Sequence, residues 1–214
     1  HTIFWLATKV NPVTAESKNW LCDFEINEWR NFLDLLPNHI KIVFVSSGGC
    51  IYMDNDEASS EDSSIAPNNK YGSMKFKMEN VLMESTKNYA ILRPSNIYGI
   101  GQKSGSGQGV IAEWISALKE RRYLTIYGDG SMVRDYLWID DFVSALISVY
   151  KYNMVGTFNL SSGQIISLSQ LIELFESILK RPLEITYLPQ RSTDRRSVKL
   201  DSSLFRAQSH WNAH

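Results

Sequence analysis

The sequence predicts an α/β protein, a doubly wound parallel sheet carrying a smaller α+β lobe. Three observations predict it. Short, continuous, β-branched apolar runs of strand length recur at residues 2–7, 40–45 and 89–93. Helical patterns lie between them, and this alternation marks parallel strands joined by helical crossovers. Small and polar residues follow the runs, at Leu6-Ala7-Thr8, Ser46-Ser47-Gly48-Gly49 and Pro94-Ser95-Asn96. Ligands of such sheets bind outside the carboxyl ends of the strands.

Each element has its own justification. Residues 2–7 are apolar after Thr2 and read as a buried strand. Residues 8–19 are polar, contain Asn11-Pro12 and read as a loop. Ile26, Trp29, Phe32, Leu33 and Leu36 fall at helical spacing, so residues 23–36 form a helix capped by Asp23 and stopped by Pro37-Asn38. Residues 40–45 are the second buried strand, and Ser46-Ser47-Gly48-Gly49 breaks it. Residues 54–69 form an acidic, Ser/Asn-rich surface loop. A helix over residues 70–87 turns Tyr71, Met74, Met78, Val81 and Leu82 inward, and residues 89–93 return as a strand. Residues 100–109 are a Gly/Ser loop without the Gly-Lys-Ser/Thr ending of a phosphate loop.

The second half is less regular. It reads as a helix over 110–120, a strand over 123–127, the turn Gly128-Asp129-Gly130 and a strand over 131–138. Next come a helix over 140–152 capped by Asp140 or Asp141 and a strand over 157–160. A helix capped by Ser167 or Ser169 runs on to Lys180, and a last strand covers 183–188. Residues 1–100 are therefore expected to hold the sheet domain. Residues 101–214 should be mainly the lobe, with some segments returning to the sheet.

Composition narrows the function classes. The chain has 214 residues, 43% of them apolar, and 22 basic against 23 acidic side chains give a net charge of −1. This is an ordinary soluble composition. It lacks the basic footprint of a nucleic-acid binder and any apolar run of about 18 residues that could span a membrane. Two cysteines, Cys22 and Cys50, are too few for a disulfide scaffold and suit a reducing compartment, the cytoplasm. No secretory leader opens the chain, and no His/Cys/Asp/Glu cluster has metal-ligand spacing. His39 reads as a loop residue, His210 and His214 as parts of a frayed end, and the six tryptophans mostly as core. The chain begins inside a strand pattern and stops where another element should follow, so it reads as truncated.

Tyr71-Gly72-Ser73-Met74-Lys75 places a phenol and an ammonium four residues apart at the head of a helix. Positions i and i+4 share a face, so Lys75 can approach the Tyr71 hydroxyl. A nearby positive charge lowers a tyrosine pKa that is about 10 unperturbed, which would make Tyr71 a proton shuttle near neutral pH. Spacing alone more often marks a solvated helix end. The place of the pair, beside the strand-end crevice, argues for chemistry.

Five segments in order carry a resemblance: Ser46-Ser47-Gly48-Gly49-Cys50-Ile51-Tyr52, Tyr71 to Lys75, Leu92-Arg93-Pro94-Ser95-Asn96-Ile97-Tyr98-Gly99, residues 127–136 around Arg134-Asp135, and Phe158-Asn159-Leu160-Ser161-Ser162-Gly163. Together they resemble the extended short-chain dehydrogenase/reductase family, in its NAD-dependent nucleotide-sugar epimerase/dehydratase branch. The resemblance implies a Rossmann-like half holding NAD, with NADP left open, and a nucleotide sugar, UDP-sugar first, under the lobe. It implies Tyr71 as base and acid, and Lys75 on the nicotinamide ribose. Leu6, Ala7 and Pro94 would line the cofactor. Asn96, Val110 and Ile111 would face the diphosphate side of the substrate, Thr125 and Tyr127 the nucleobase, and Asp194 the nucleotide ribose. Arg134 and Arg191 would grip the diphosphate, a task suited to a forked guanidinium. It also implies a homodimer, for which Trp29 with Phe32 and the helix from Tyr71 to Met83 are the candidate face.

Three departures qualify the resemblance. The Gly-x-x-Gly-x-x-Gly loop and its later acidic residue are absent, and at roughly 30 residues per βαβ unit about 60 residues would precede His1. The hydroxyl partner of the tyrosine falls at Gly48. Ser47 next to it is the catalytic candidate, with Cys50 as alternative if the segment stays extended. Gly48-Gly49 also replaces the Asp-Glu pair that dehydration needs. The expected reaction is therefore epimerisation of the UDP-hexose 4-epimerase type through a 4-keto sugar. A net NADPH-consuming 4-ketoreductase and a non-catalytic remnant that binds nucleotide sugar stay open as alternatives.

Overall fold

The computed structural model describes residues 1–86, 88–105, 108–191 and 194–214. Along the chain come β1 (Thr2–Trp5), α1 (Pro12–Ser17), α2 (Trp20–Asp34), β2 (Lys41–Val45), α3 (Gly48–Ile51) and α4 (Lys70–Ser85). They are followed by β3 (Tyr89–Pro94), β4 (Asn96–Tyr98), α5 (Val110–Lys119), β5 (Leu124–Tyr127), β6 (Val133–Trp138) and α6 (Ile139–Lys151). The last are β7 (Gly156–Leu160), β8 (Ile165–Ser167), α7 (Leu168–Leu179), β9 (Ile185–Leu188), β10 (Ser197–Val198) and α8 (Ser203–Ser209). The end of the expected 70–87 helix at Lys87, and Ser106 and Gly107 of the Gly/Ser loop, lie outside the described residues.

The main sheet has the order β1-β2-β3-β7 and is parallel throughout, with Phe44 paired to Trp5 and to Ile91, and Leu92 to Phe158. Side chains alternate across each strand. Ile42, Phe44 and Ile91 therefore face a core filled by Trp29 of α2 and by Met74, Met78 and Leu82 of α4. Val43, Ala90 and Leu92 face the opposite core, against Phe142, Ala145 and Val149 of α6, Phe205 of α8 and Trp211. Both faces are covered, which is why these strands read as unbroken apolar runs.

A second sheet, β10-β6-β4 with β8 antiparallel to β6, and the parallel pair β5-β9 form the remainder. Trp114 of α5 and Leu171 and Ile172 of α7 cover them with Leu124, Ile126 and Met132.

Several local expectations are corrected. The loop over 8–19 contains α1: the Asn11 carboxamide accepts from Thr14 N at 2.8 Å, Thr14 Oγ1 accepts from Asn11 N at 2.8 Å, and Pro12 opens the helix. α2 starts before Asp23, which lies in its first turn, and Asn19 takes the cap position with no side-chain bond. Asp140 and Asp141 are likewise inside α6, complementing its dipole, while Trp138 takes the cap position. Ser167 caps α7, accepting from Gln170 N at 3.1 Å, whereas Ser169 bonds the Gly130 carbonyl. The C-terminal end is tied down rather than frayed, since the His214 ring meets Asp141 at 2.8 Å and Trp211 donates to the Asp141 carbonyl. Trp20 is an exception to the core reading, at 65% exposed.

The residues named for a dimer face point inward. Trp29 is fully buried and Phe32 packs on the same core, as do Met74, Met78, Val81 and Leu82. The outward positions of α2 and α4 include Asn27, Glu28, Asn31 and Lys77. Among the described residues, no helix is long and apolar enough to cross a membrane, and no group of three His, Cys, Asp or Glu side chains could hold a metal.

Candidate active site

The carboxyl ends of β2 and β3 form one wall of a crevice. Ser46 N donates to the Leu92 carbonyl at 2.8 Å, which carries the pairing past the end of β2. The chain then turns at once into α3. A Cβ on Gly48 would lie 2.9 Å from the Arg93 carbonyl and also strike Leu200, so only glycine fits where α3 crosses β3.

α4 begins against this turn. The Asn69 side chain accepts from Gly72 N at 2.7 Å and starts the helix. Gly72 has no room for a side chain, because a Cβ there would run into the Cys50 carbonyl. This close approach of α4 to α3 sets Tyr71 at the crevice, beside Ser46 and Ser47.

Lys75 is buried, at 3% exposed. Its Nζ donates to the Val45 carbonyl at 3.1 Å and lies 5.0 Å from the centre of the Phe44 ring and 5.8 Å from that of Tyr71. Burial pulls the Lys75 pKa down to about 8. Burial also pushes the Tyr71 phenol up, with Cys50 and Glu25 adding to the effect. The expected lowering of the Tyr71 pKa is thus reversed. The ammonium is committed to a backbone carbonyl, and desolvation of the phenol dominates.

The facing wall is fastened through Asp135, which is 1% exposed. Its carboxylate accepts from Ser95 Oγ at 2.6 Å, Gly163 N at 2.7 Å, and Ser162 N and Oγ at 3.0 and 3.1 Å. Its carbonyl accepts from Asn96 Nδ2 at 3.0 Å. One carboxylate thereby joins the exit of β3, the middle of β6 and the turn after β7. Arg134, its neighbour, lines the crevice, donates to the Val133 carbonyl at 2.8 Å, and has its pKa lowered by burial. The Arg191 guanidinium lies 3.6 Å from the centre of the Tyr127 ring.

The crevice is a cavity of about 840 Å³. It brings together Leu6, Ser47, Tyr71, Lys75, Pro94, Asn96, Val110, Ile111, Thr125, Tyr127, Arg134, Arg191 and Asp194. Two candidates fall outside it. Ala7 is exposed and does not line the cavity. Cys50, within α3, does not line it either; its Sγ lies 3.8 Å from the Ser47 carbonyl, and burial pushes its thiol up to about 11. The extended segment that would have turned Cys50 inward is a helical turn instead. Thr8 and Ser46, expected at the crevice but given no role, also line the cavity, as do Gln102, Arg122 and Tyr136, which sequence reasoning did not place there. Ser46 Oγ and the Tyr136 hydroxyl are buried there with no hydrogen-bond partner among the described residues. Tyr136 was within reach of sequence reasoning, because it stands two residues after Arg134 on a strand and so shares its face. Ser46 gave no signal that separated it from Ser47.

A model of the NAD dependent epimerase/dehydratase family matches residues 10–160. The dTDP-4-dehydro-6-deoxyglucose reductase of Escherichia coli is 32% identical over 98% of this chain and 69% of its own length. The UDP-glucose 4-epimerase of Mycolicibacterium smegmatis is 31% identical over 80% of this chain, which spans only 56% of that protein. Among solved structures, the UDP-glucose 4-epimerase of Thermotoga maritima with UDP-glucose superposes with a TM-score of 0.85 at 25% identity, over 99% of this chain and 72% of that one. The UDP-glucuronic acid 4-epimerase of Bacillus cereus, in complex with UDP-glucuronic acid and NAD, gives 0.90 at 21% identity, over 100% and 70%.

Proposed function

Because the chain belongs to the NAD dependent epimerase/dehydratase family, we propose that it catalyses hydride exchange at a nucleotide sugar, with Tyr71 exchanging the sugar hydroxyl's proton. The observation that carries this reading is the convergence of Tyr71, Lys75 and Ser47 with Arg134 and Arg191 on one cavity.

The residues present fit one end of NAD. Leu6 and Pro94 offer apolar walls, and Lys75 and the unpartnered Ser46 Oγ offer polar groups in the same cavity. Lys75 and Ser46 would hold the nicotinamide ribose. The glycine loop that would cradle the pyrophosphate is not among these residues. NAD, when bound, supplies the hydride acceptor and donor. The chain's own groups do the remainder. Arg134 and Arg191 clamp the diphosphate, Tyr127 and Thr125 flank the base, and Ser47 bonds the reacting hydroxyl. Tyr71 takes that proton on oxidation and returns it on reduction.

The proposed reaction is 4-epimerisation of a UDP-hexose through a transient 4-keto sugar. Elimination of water is disfavoured because Gly48-Gly49 puts no carboxylate beside Tyr71. A second reading, 4-ketoreduction of a nucleotide sugar, is favoured by two observations. One relative, similar over 98% of this chain, is a dTDP-4-dehydro-6-deoxyglucose reductase, and burial raises the Tyr71 pKa, favouring the protonated state that delivers a proton to a carbonyl oxygen.

The test uses full-length protein with UDP-glucose, UDP-galactose and dTDP-4-keto-6-deoxyglucose. Tyr71→Phe should lower turnover by roughly a thousandfold, the scale of positioned acid–base catalysis, while substrate still binds. Near-normal activity in that variant would falsify the assignment. Conversion without net loss of NAD(P)H identifies the epimerase, and stoichiometric consumption identifies the reductase.

A further inference from the structure

We propose that Arg195 is a positioning residue that couples the nucleotide-facing Arg134, Arg191 and Asp194 to the catalytic helix α4. The inference rests on the functional reading above and adds to it a residue outside the cavity.

The Arg195 guanidinium is buried and spans the two ends of the loop over residues 52–66. On one end it donates to the carbonyls of Tyr52 and Cys50, the latter at 3.3 Å, and meets Asp54 Oδ1 at 3.3 Å. On the other it donates to the Ala66 carbonyl at 3.2 Å and to Asn68 Oδ1 at 3.4 Å. The first end follows Ser47 and α3 directly. The second leads straight into Asn69, whose side chain starts α4 two residues before Tyr71.

The backbone around Arg195 belongs to the other side of the cavity. Asp194 and Arg191 line it, and Asp194 N donates to the Arg191 carbonyl at 3.1 Å. The Arg196 carbonyl accepts from Val133 N at 3.0 Å, next to Arg134. One planar fork thus reaches from backbone that is bonded to β6 beside Arg134 to both segments carrying Ser47 and Tyr71. An arginine meets several acceptors in one plane, which lysine cannot do. A nucleotide that fixes Arg191, Asp194 and Arg134 thereby also fixes the start of α4. Arg195 does not line the cavity, so its effect passes through this frame.

The experiment titrates full-length protein with UDP and with dTDP, neither of which carries the hexose that would meet Tyr71. Hydrogen exchange is followed at the amides of residues 66–75, with Arg195→Met and Arg195→Lys alongside the parent. In the parent, saturating nucleotide should slow exchange at Gly72 and Ser73. In Arg195→Met this protection should vanish at saturation, with kcat down by roughly tenfold, within the usual range of coupling between sites. Arg195→Lys should lose most of the protection while keeping the fold, and it is the deciding variant if Arg195→Met does not fold. Undiminished protection in a folded variant, or none in the parent, overturns the coupling. A parent that binds neither nucleotide overturns the functional reading and the coupling with it.

Discussion

Lys75 commits its ammonium to the Val45 carbonyl, 3.1 Å away, in a site that burial makes unfavourable for charge. Its pKa falls from 10.5 to about 8, so between these values the unfolded chain holds a proton that the folded chain has released. Stability from this group therefore rises with pH across that window, and below it the buried ammonium is a full cost. Lys75→Met should be more stable than the parent at pH 7, by about 1–3 kcal/mol. The gap should shrink by pH 9, as urea titrations at the two values would report; a pH-independent gap would contradict the assignment. The four-residue spacing made the Tyr71–Lys75 pair legible in the sequence. The acceptor of the ammonium was not legible, because Val45 lies 30 residues earlier and meets Lys75 only once α4 packs on the sheet.

Where α3 meets α4, backbone presses on backbone at Gly72 and Cys50, and Phe76 packs against the cluster of Ile51, Tyr52 and Leu200. Gly72→Ala would drive a methyl group into the Cys50 carbonyl. It should cost at least as much as overpacking a core, about 1–3 kcal/mol, and lower turnover because Tyr71 must shift. Asn69→Ala removes only the cap and should cost about 1 kcal/mol. Urea unfolding separates the two, and a larger loss for Asn69→Ala would refute this account of the contact. Helices and strands with a full apolar period were legible in the sequence: β2, β3, α2, α4 and α7 lie within a few residues of their expected bounds. The short ones were not. β4, β8 and β10 have three, three and two residues, too few for a period, and they exist because β6 gives them a partner. α3 was hidden because Gly48-Gly49 reads as a chain breaker, yet both glycines are helical where β3 and α4 crowd in.

At the scale of the molecule, residues far apart in the sequence close around one cavity. Arg134→Ala should weaken UDP or dTDP binding by about 1.5–3 kcal/mol, the loss of charge-assisted hydrogen bonds, measured by calorimetry. An unchanged affinity would remove Arg134 from the site. The gathering of strand ends at one crevice could be read from the αβ alternation alone. The hub at Asp135 could not, since its acceptors are filled from residues 95, 162 and 163, which no local pattern connects. The Gly72–Cys50 contact also has an evolutionary side. Tyr71 is fixed by two backbones pressed together, so the catalytic wall can scarcely vary without losing its geometry. The opposite wall includes Gln102, Arg122 and Tyr123, which lie outside helices and strands and can diversify. New sugar preferences should therefore arise there, and exchanging those segments between relatives is the route by which substrate choice could be transplanted onto an unchanged reaction centre.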